Sequence, residues 1–144
     1  MRVYLDHCCY NRPFDDQTQL RVRLETEAKL AVQQQMRNGE IEYVWSDMLA
    51  NEVEESPFWE QREWIEAWAP GACAFVPTTA AIEQAAEKFM RLGVKPADSI
   101  HLASAEAAEC DCFLTVDGGI LKKVNFAGRV IVANPLEYVQ ECLP

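Results

Sequence analysis

The stretch VKPADSIHLASAEAAECDCFLTVD, which spans residues 94–117, decides the fold class of this chain. Pro96 suits the first position of a helix, and the Ala-rich segment after it predicts a helix that reaches about residue 109. The apolar run CFLTV at residues 112–116 is typical of a strand that is buried on both faces. The acid Asp117 follows that strand directly. A helix that leads into a central strand and then an acid is typical of an α/β protein.

The same alternation of helices and strands extends over the rest of the sequence. Turn-forming residues fill positions 7–16, where no regular element is predicted. We predict strands at residues 2–5, 41–45, 72–76, 112–116 and 129–132, and helices at residues 17–38, 46–55, 58–68, 80–92, 96–109, 119–124 and from about 135. This order predicts one α/β domain over residues 1–144, with a mainly parallel sheet of about five strands.

Composition and charge restrict the function further. Hydrophobic residues make up 49% of the 144 residues and charged residues 25%, which excludes a disordered chain. The net charge is −10, and residues 40–66 carry −8 of it, with nine acids against one base. Most of these acids are expected to form a solvated helical face. Such a surface argues against nucleic-acid binding by phosphate contacts alone, but it leaves room for metal ions that mediate them.

The sequence predicts a cytoplasmic protein without membrane contact. No apolar run reaches the ~18–20 residues of a membrane span, and MRVYLD at residues 1–6 contains no secretory apolar region. We therefore expect reduced, buried cysteines rather than disulfides. A zinc site at Cys110 and Cys112 is disfavoured, because the chain has only two histidines and no second cysteine pair with ligand spacing. The six cysteines are Cys8, Cys9, Cys73, Cys110, Cys112 and Cys142.

Two acids follow predicted central strands directly. Asp6 comes after the strand at residues 2–5, and Asp117 comes after CFLTV. Parallel sheets bind ligands at the carboxyl ends of their strands, so both acids are expected at the same edge. Two ionised carboxylates in a partly buried cleft repel each other unless a cation neutralises them. Each acid also has a simpler interpretation, as a turn or capping residue.

Two further acids can reach the same edge of the sheet. Glu52 lies about two turns into the helix that Ser46 is predicted to cap, and Asp98 lies in the first turn of the helix that begins at Pro96. Asp98 is favoured there by the helix dipole whatever its function, and Glu52 could belong to the solvated acidic face. Four oxygen ligands suit a hard divalent ion such as Mg²⁺ or Mn²⁺, which activates water and stabilises a phosphoryl transition state.

Three stretches together resemble the PIN domain, the small nuclease fold of many prokaryotic toxins and RNA-processing enzymes. VYLD at residues 3–6 resembles its opening strand and first acid, and SDMLANEVEE at residues 46–55 resembles its second block and selects Glu52 over its neighbours. Residues 94–117 resemble the third and fourth blocks, which supply Asp98 and Asp117. The resemblance implies a three-layer sandwich, in which helices flank the sheet on both faces.

The resemblance also implies an activity, which is metal-dependent cleavage of RNA by an endoribonuclease. Asp6, Glu52, Asp98 and Asp117 would be the catalytic residues and would hold one or two Mg²⁺ or Mn²⁺ ions. Many relatives are homodimers, and many are the toxin of a toxin–antitoxin pair, in which an antitoxin cation enters the acidic cleft. Ser46 and Thr115 occupy positions that support the acids by hydrogen bonds.

Some residues depart from the PIN pattern or carry no assigned role. His7 and Cys8 follow the first acid where the family usually has small polar residues. Arg12 could contact phosphate, but an ion pair with Asp15 or Asp16 is favoured, and His101 is expected to line the core or support the acids. These departures permit a second hypothesis, a PIN-like binding module without catalysis. The tryptophans Trp59, Trp64 and Trp68 could form a dimer interface or pack into the core.

Overall fold

The computed structural model describes residues 1–142, and within that range the chain forms one six-stranded sheet and eight α-helices. The strands are β1 (Arg2–Leu5), β2 (Glu42–Ser46), β3 (Ala74–Val76), β4 (Cys112–Leu114), β5 (Phe126–Ala127) and β6 (Val130–Ala133). The helices are α1 (His7–Asn11), α2 (Leu20–Arg37), α3 (Asp47–Glu54), α4 (Trp59–Glu66), α5 (Ala80–Arg91), α6 (Pro96–Ala107), α7 (Gly118–Leu121) and α8 (Pro135–Cys142). Two 3-10 turns cover Arg12–Phe14 and Ala69–Gly71.

The sheet is parallel except at one edge, which confirms the predicted α/β fold. The strand order is β3-β2-β1-β4-β6-β5, and the pairing of β5 with β6 is antiparallel. The prediction of about five strands missed β5, because a strand of two residues leaves no periodic signal. A tight turn joins β5 to β6, and Gly128 occupies it with a φ of +62° that glycine adopts without strain.

The most buried strands, β1 and β4, lie at the centre of the sheet. Tyr4 and Phe113 are fully buried and stack with ring centroids 5.2 Å apart. Tyr4 also contacts His101 of α6, whereas Tyr138 of α8 bonds Gln35 of α2. The helices thus form two separate layers, α2 with α8 and α5 with α6. Right-handed crossovers that run to both sides of β1 place helices on both faces of the sheet.

The segment at residues 7–16 was predicted as a turn, and this prediction is wrong for its first half. Asp6 accepts a hydrogen bond from the backbone N–H of His7, which caps the short helix α1. The following helix, α2, begins at Leu20 rather than at residue 17. Asp16 instead accepts a hydrogen bond from the N–H of Thr18, and this local bond favours a turn over a helix.

The described cysteine side chains are reduced thiols, as the sequence predicts, but not all of them are buried. Cys8, Cys9, Cys73 and Cys110 are free thiols, as expected, but Cys73 is exposed rather than buried. The side chain of Cys142 lies outside the described residues. Among residues 1–142, no helix is both long enough and apolar enough to cross a membrane.

Candidate active site

The four predicted acids converge at the carboxyl edge of the sheet. Asp6 follows β1, Asp117 caps α7 after β4, Asp98 lies in the first turn of α6, and Glu52 lies in α3. Glu52, Asp98 and Asp117 line one open cleft of about 700 Å³. Asp6 is buried, and its charge acts directly on Asp98.

Asp6 is held by hydrogen bonds on both carboxylate oxygens. Its Oδ1 accepts from the N–H of His7 at 2.8 Å, and its Oδ2 accepts from Thr115 Oγ1 at 2.8 Å. The thiol of Cys8 lies 3.3 Å from the same Oδ2. These bonds satisfy a carboxylate that is only 4% exposed and fix its orientation. Thr115 therefore gives the first acid the kind of support that the PIN resemblance implies.

Asp117 combines the two interpretations that the sequence left open. Its Oδ1 accepts from the N–H of Gly119 at 2.7 Å and so caps α7, as a turn-forming aspartate does. The residue also lines the cleft. Its own N–H donates to Thr115 Oγ1 at 3.1 Å, so a single hydroxyl joins Asp117 to Asp6.

Asp98 shows the strongest effect of the other acids. Its partial burial, together with the negative charges of Asp6 and Asp117, raises its pKa to about 6. Glu52 adds to this repulsion, and His101 opposes it. A carboxyl group that is hard to ionise among other acids is typical of a cation or catalytic site, because a bound cation would remove the repulsion.

Glu52 is paired with two histidines. Its Oε1 accepts from His101 Nε2 at 2.5 Å, and its Oε2 lies 3.3 Å from His7 Nδ1. Burial alone would raise the pKa of Glu52, but the bonds from His101 and His7 outweigh burial and lower the pKa to about 2. For His101, burial alone would lower the pKa. The hydrogen bond to Glu52 and the negative charge of Asp6 outweigh burial, so the pKa of His101 is raised.

A buried chain of hydrogen bonds continues behind His101. Its Nδ1 lies 2.6 Å from Tyr4 Oη, and Tyr4 Oη lies 2.6 Å from Ser46 Oγ. Ser46 also caps α3 by accepting from the N–H of Leu49 at 3.1 Å. Ser46 therefore reaches Glu52 through two other side chains rather than by bonding an acid. Sequence reasoning missed Tyr4, although a phenol between the apolar residues Val3 and Leu5 is a signal, since its hydroxyl needs a buried partner.

The donor set fits a hard divalent cation by its chemistry and charge, but it is not arranged around one. Within residues 1–142, no three His, Cys, Asp or Glu side chains are positioned to hold a metal ion together. In this arrangement Glu52 is paired with His101 and His7, and Asp6 accepts hydrogen bonds on both of its oxygens. The four acids supply only oxygen atoms, which Mg²⁺ and Mn²⁺ prefer. Metal ligation by these residues stays a prediction.

The remaining candidates lie outside this cluster. Arg12 pairs with Asp15 at 3.0 Å, which confirms the ion pair favoured over phosphate contact. Trp59 and Trp64 are 61% and 70% exposed, so of the two alternatives that the sequence leaves open, core packing does not apply to them. Trp68 is half-buried and packs edge-to-face against Tyr43.

Two solved structures share this fold over nearly its whole length. No protein-family model matches the sequence, and no curated protein matches it. The structure of FitAcB from Neisseria gonorrhoeae has a TM-score of 0.58 and 17% identity, covering 92% of this chain and 97% of that chain. The structure of VapBC2 from Rickettsia felis, bound to a DNA fragment from their promoter, has a TM-score of 0.58 and 13% identity, covering 93% and 98%. At these identities the likeness shows the α/β fold alone.

Proposed function

We propose that this protein is a metal-dependent endoribonuclease of the PIN type that hydrolyses RNA phosphodiester bonds. The observation that carries the proposal is that four acids from different elements lie at the carboxyl edge of a parallel sheet, where Glu52, Asp98 and Asp117 line one open cleft. The raised pKa of Asp98, about 6, supports it, because burial and the charges of Asp6 and Asp117 cause that rise. Such a concentration of negative charge is costly for a protein that has no cation to place there.

In this function the four acids share one part, and Thr115 and His101 position them. Asp6, Glu52, Asp98 and Asp117 would hold Mg²⁺ or Mn²⁺, which supplies an activated water and stabilises the charge on the phosphate when bound. Thr115 keeps Asp6 and Asp117 in a fixed relation through one hydroxyl. His101 keeps Glu52 ionised, because its hydrogen bond lowers the pKa of that carboxyl.

A binding module without catalysis is the second candidate. The observation that favours it is the pairing of Glu52 with His101 and His7, which already occupies both oxygens of one of the four acids. In that case the two histidines would serve in place of a cation. The two candidates therefore differ in whether a divalent ion can bind against these imidazoles.

We also propose the toxin of a toxin–antitoxin pair as the biological setting, acting in the cytoplasm as a homodimer. The PIN resemblance supports the first part of this proposal, and the free thiols support a reducing compartment. The exposed side chains of Trp59 and Trp64 offer an apolar surface for association. An antitoxin would inhibit by placing an Arg or Lys among the four acids.

The test is a calorimetric titration of Mn²⁺ into the wild type and into Asp98→Asn. Asp111→Asn is the matched control. Asp111 precedes β4 and so lies at the amino ends of the strands, away from the carboxyl ends where the four acids lie. We expect binding in the wild type and in the control, and a loss of at least tenfold in affinity in Asp98→Asn. RNA cleavage that requires the same ion and the same carboxyl then completes the assignment. Absence of Mn²⁺ binding by the wild type in the millimolar range would favour the binding module.

A further inference from the structure

We propose that the cleft binds unpaired nucleobases next to the acids, with the bases stacked on Phe14 and Phe58. This inference rests on the proposed function and names the part of the RNA that the site recognises. The two phenyl groups, here called the aromatic surface, line the same cleft as Glu52, Asp98 and Asp117. A phosphate at the acids would therefore bring its neighbouring bases to these rings.

The aromatic surface is exposed in a way that the fold does not require. Phe58 is 61% exposed and Phe14 is 41% exposed. Phe58 also occupies the N-cap position of α4, where it makes no capping hydrogen bond and where Ser, Thr, Asp or Asn is preferred. A residue that breaks a local rule without a structural gain is expected at a functional site. Exposed aromatic rings provide stacking surfaces for single-stranded nucleic acid.

A polar group in the same cleft lacks a partner. Asn11 lines the cleft, and its Oδ1 is buried without a hydrogen-bond partner among the residues that the structure describes. Its Nδ2 faces the ring of His7 at 3.3 Å, so the carbonyl oxygen is left to accept. Amino and imino N–H groups on base edges donate hydrogen bonds of the kind this oxygen lacks. This unsatisfied acceptor is independent of the aromatic rings and favours the same ligand.

The charge of the cleft favours stacking over phosphate contacts as the source of affinity. Lys95 is the one Lys or Arg among the described residues that line it, and the whole chain carries a net charge of −10. Single-stranded RNA loses affinity with a salt exponent of about −0.7 for each phosphate neutralised. One such contact predicts a loss of only about threefold between 50 and 200 mM salt. Bases inside a duplex cannot reach the rings, so the site selects unpaired RNA.

The experiment measures fluorescence anisotropy of a labelled 12-nucleotide single-stranded RNA, with the same sequence as a duplex and with abasic positions. Phe58→Ala is expected to weaken binding of the single strand by about tenfold, in the range that loss of one stacked base gives. Phe58→Trp should restore binding, because it keeps an aromatic face. Phe126→Ala is the matched control, since Phe126 is 62% exposed and is absent from the cleft lining.

The outcomes separate this inference from the proposed function. If Phe58→Ala binds and cleaves RNA as well as the wild type, stacking is overturned and the nuclease assignment stands. A wild type that neither binds nor cleaves RNA overturns both, and the Mn²⁺ titration then shows whether the metal site survives. Sedimentation velocity covers the remaining case. If Phe58→Ala dissociates a dimer without changing RNA affinity, the aromatic surface is a protein interface and the inference is wrong.

Discussion

His101 Nε2 lies 2.5 Å from Glu52 Oε1, and this bond joins α6 to α3 inside the candidate active site. The imidazole is fully buried, whereas a quarter of the Glu52 side chain remains exposed. The bond therefore connects the protein interior to the cleft. Because Glu52 is one of the proposed catalytic acids, the bond also links the folding free energy to the candidate site. This contribution to stability can be measured without a substrate.

Replacement of His101 should destabilise the protein. His101→Gln removes a buried donor to a carboxylate, and we expect the free energy of unfolding to fall by about 2 kcal/mol in urea denaturation. His7→Gln is the control, because its nitrogen lies 3.3 Å from the other Glu52 oxygen and contributes a weaker contact. An equal loss in both variants would contradict the dominant role given to His101.

The contribution of this pair should be greatest between about pH 4.5 and 6.5. The pKa of Glu52 is lowered to about 2, so its stabilisation is present above its unfolded pKa of 4.5 and is lost as the pH falls toward 2. The pKa of His101 is raised, so its stabilisation is complete below its unfolded pKa of 6.5 and is lost as the pH rises through the folded value. The difference in unfolding free energy between the wild type and His101→Gln, measured against pH, should show this maximum. A difference that is flat with pH would refute the ionic nature of the bond.

Asp98→Asn should stabilise the protein at neutral pH while it removes metal binding. The pKa of Asp98 is raised to about 6, so folding favours its protonated form and stability falls as the pH rises from 3.8 through 6. Because the carboxyl is partly exposed and screened by solvent, we expect a gain of about 1 kcal/mol at pH 7.5. Thermal unfolding with and without Mn²⁺ tests this, since the ion should raise the Tm of the wild type and leave the variant unchanged. A destabilised Asp98→Asn would show that the carboxylate is not under repulsion.

Lys29 is a second side chain whose charged form destabilises the fold, and it lies away from the four acids. It is 4% exposed, and burial lowers its pKa to about 8. The unfolded chain binds more protons than the folded chain between pH 8 and 10.5, so stability should rise with pH across that range. Lys29→Met should remove this slope and add about 2 kcal/mol at pH 7. Lys122→Met provides the control, because it makes the same replacement at an exposed lysine.

Thr115 and Thr78 form a matched pair for testing hydrogen bonds. Thr115→Val removes the bonds to Asp6 and Asp117, and we expect it to cost about 1 to 2 kcal/mol and to weaken Mn²⁺ binding. Thr78 Oγ1 is buried without a partner among the described residues, so Thr78→Val should be neutral or stabilising. Urea denaturation and metal titration of the two variants give the comparison. Equal effects would mean that the Thr115 hydroxyl does not organise the acids.

Much of the fold could be predicted because its signals are local. The apolar run of β4, the capping residue Ser46 and the turn after residue 37 each depend on neighbouring positions. The convergence of the acids also followed from local reasoning, since parallel strands carry their carboxyl ends to one edge. The helix α1 was missed because the turn-forming residues around it obscured its capping acid, Asp6.

The hydrogen-bond chain behind the site could not be read from the sequence. Tyr4 and His101 are 97 residues apart, and Glu52 and His101 are 49 apart, so no spacing rule connects them. The pairing depends on how α6 and α3 pack on the sheet. The contribution of Phe14 and Phe58 to the cleft depends likewise on the paths of two irregular segments, which lack a periodic pattern.

The four acids come from four separate parts of the chain, and this separation has a consequence for the protein during its synthesis. Asp6 is made first and Asp117 last, and β4, which positions Asp117, lies in the sheet between β1 and the still later β6. At ribosomal rates of ~5–20 residues per second, the interval between Asp6 and the end of β6 is on the order of ten seconds. A growing chain therefore carries an incomplete set of acids until Asp117 has been made. If the protein is a ribonuclease, a nascent chain that has not reached β4 cannot cleave the message from which it is being translated.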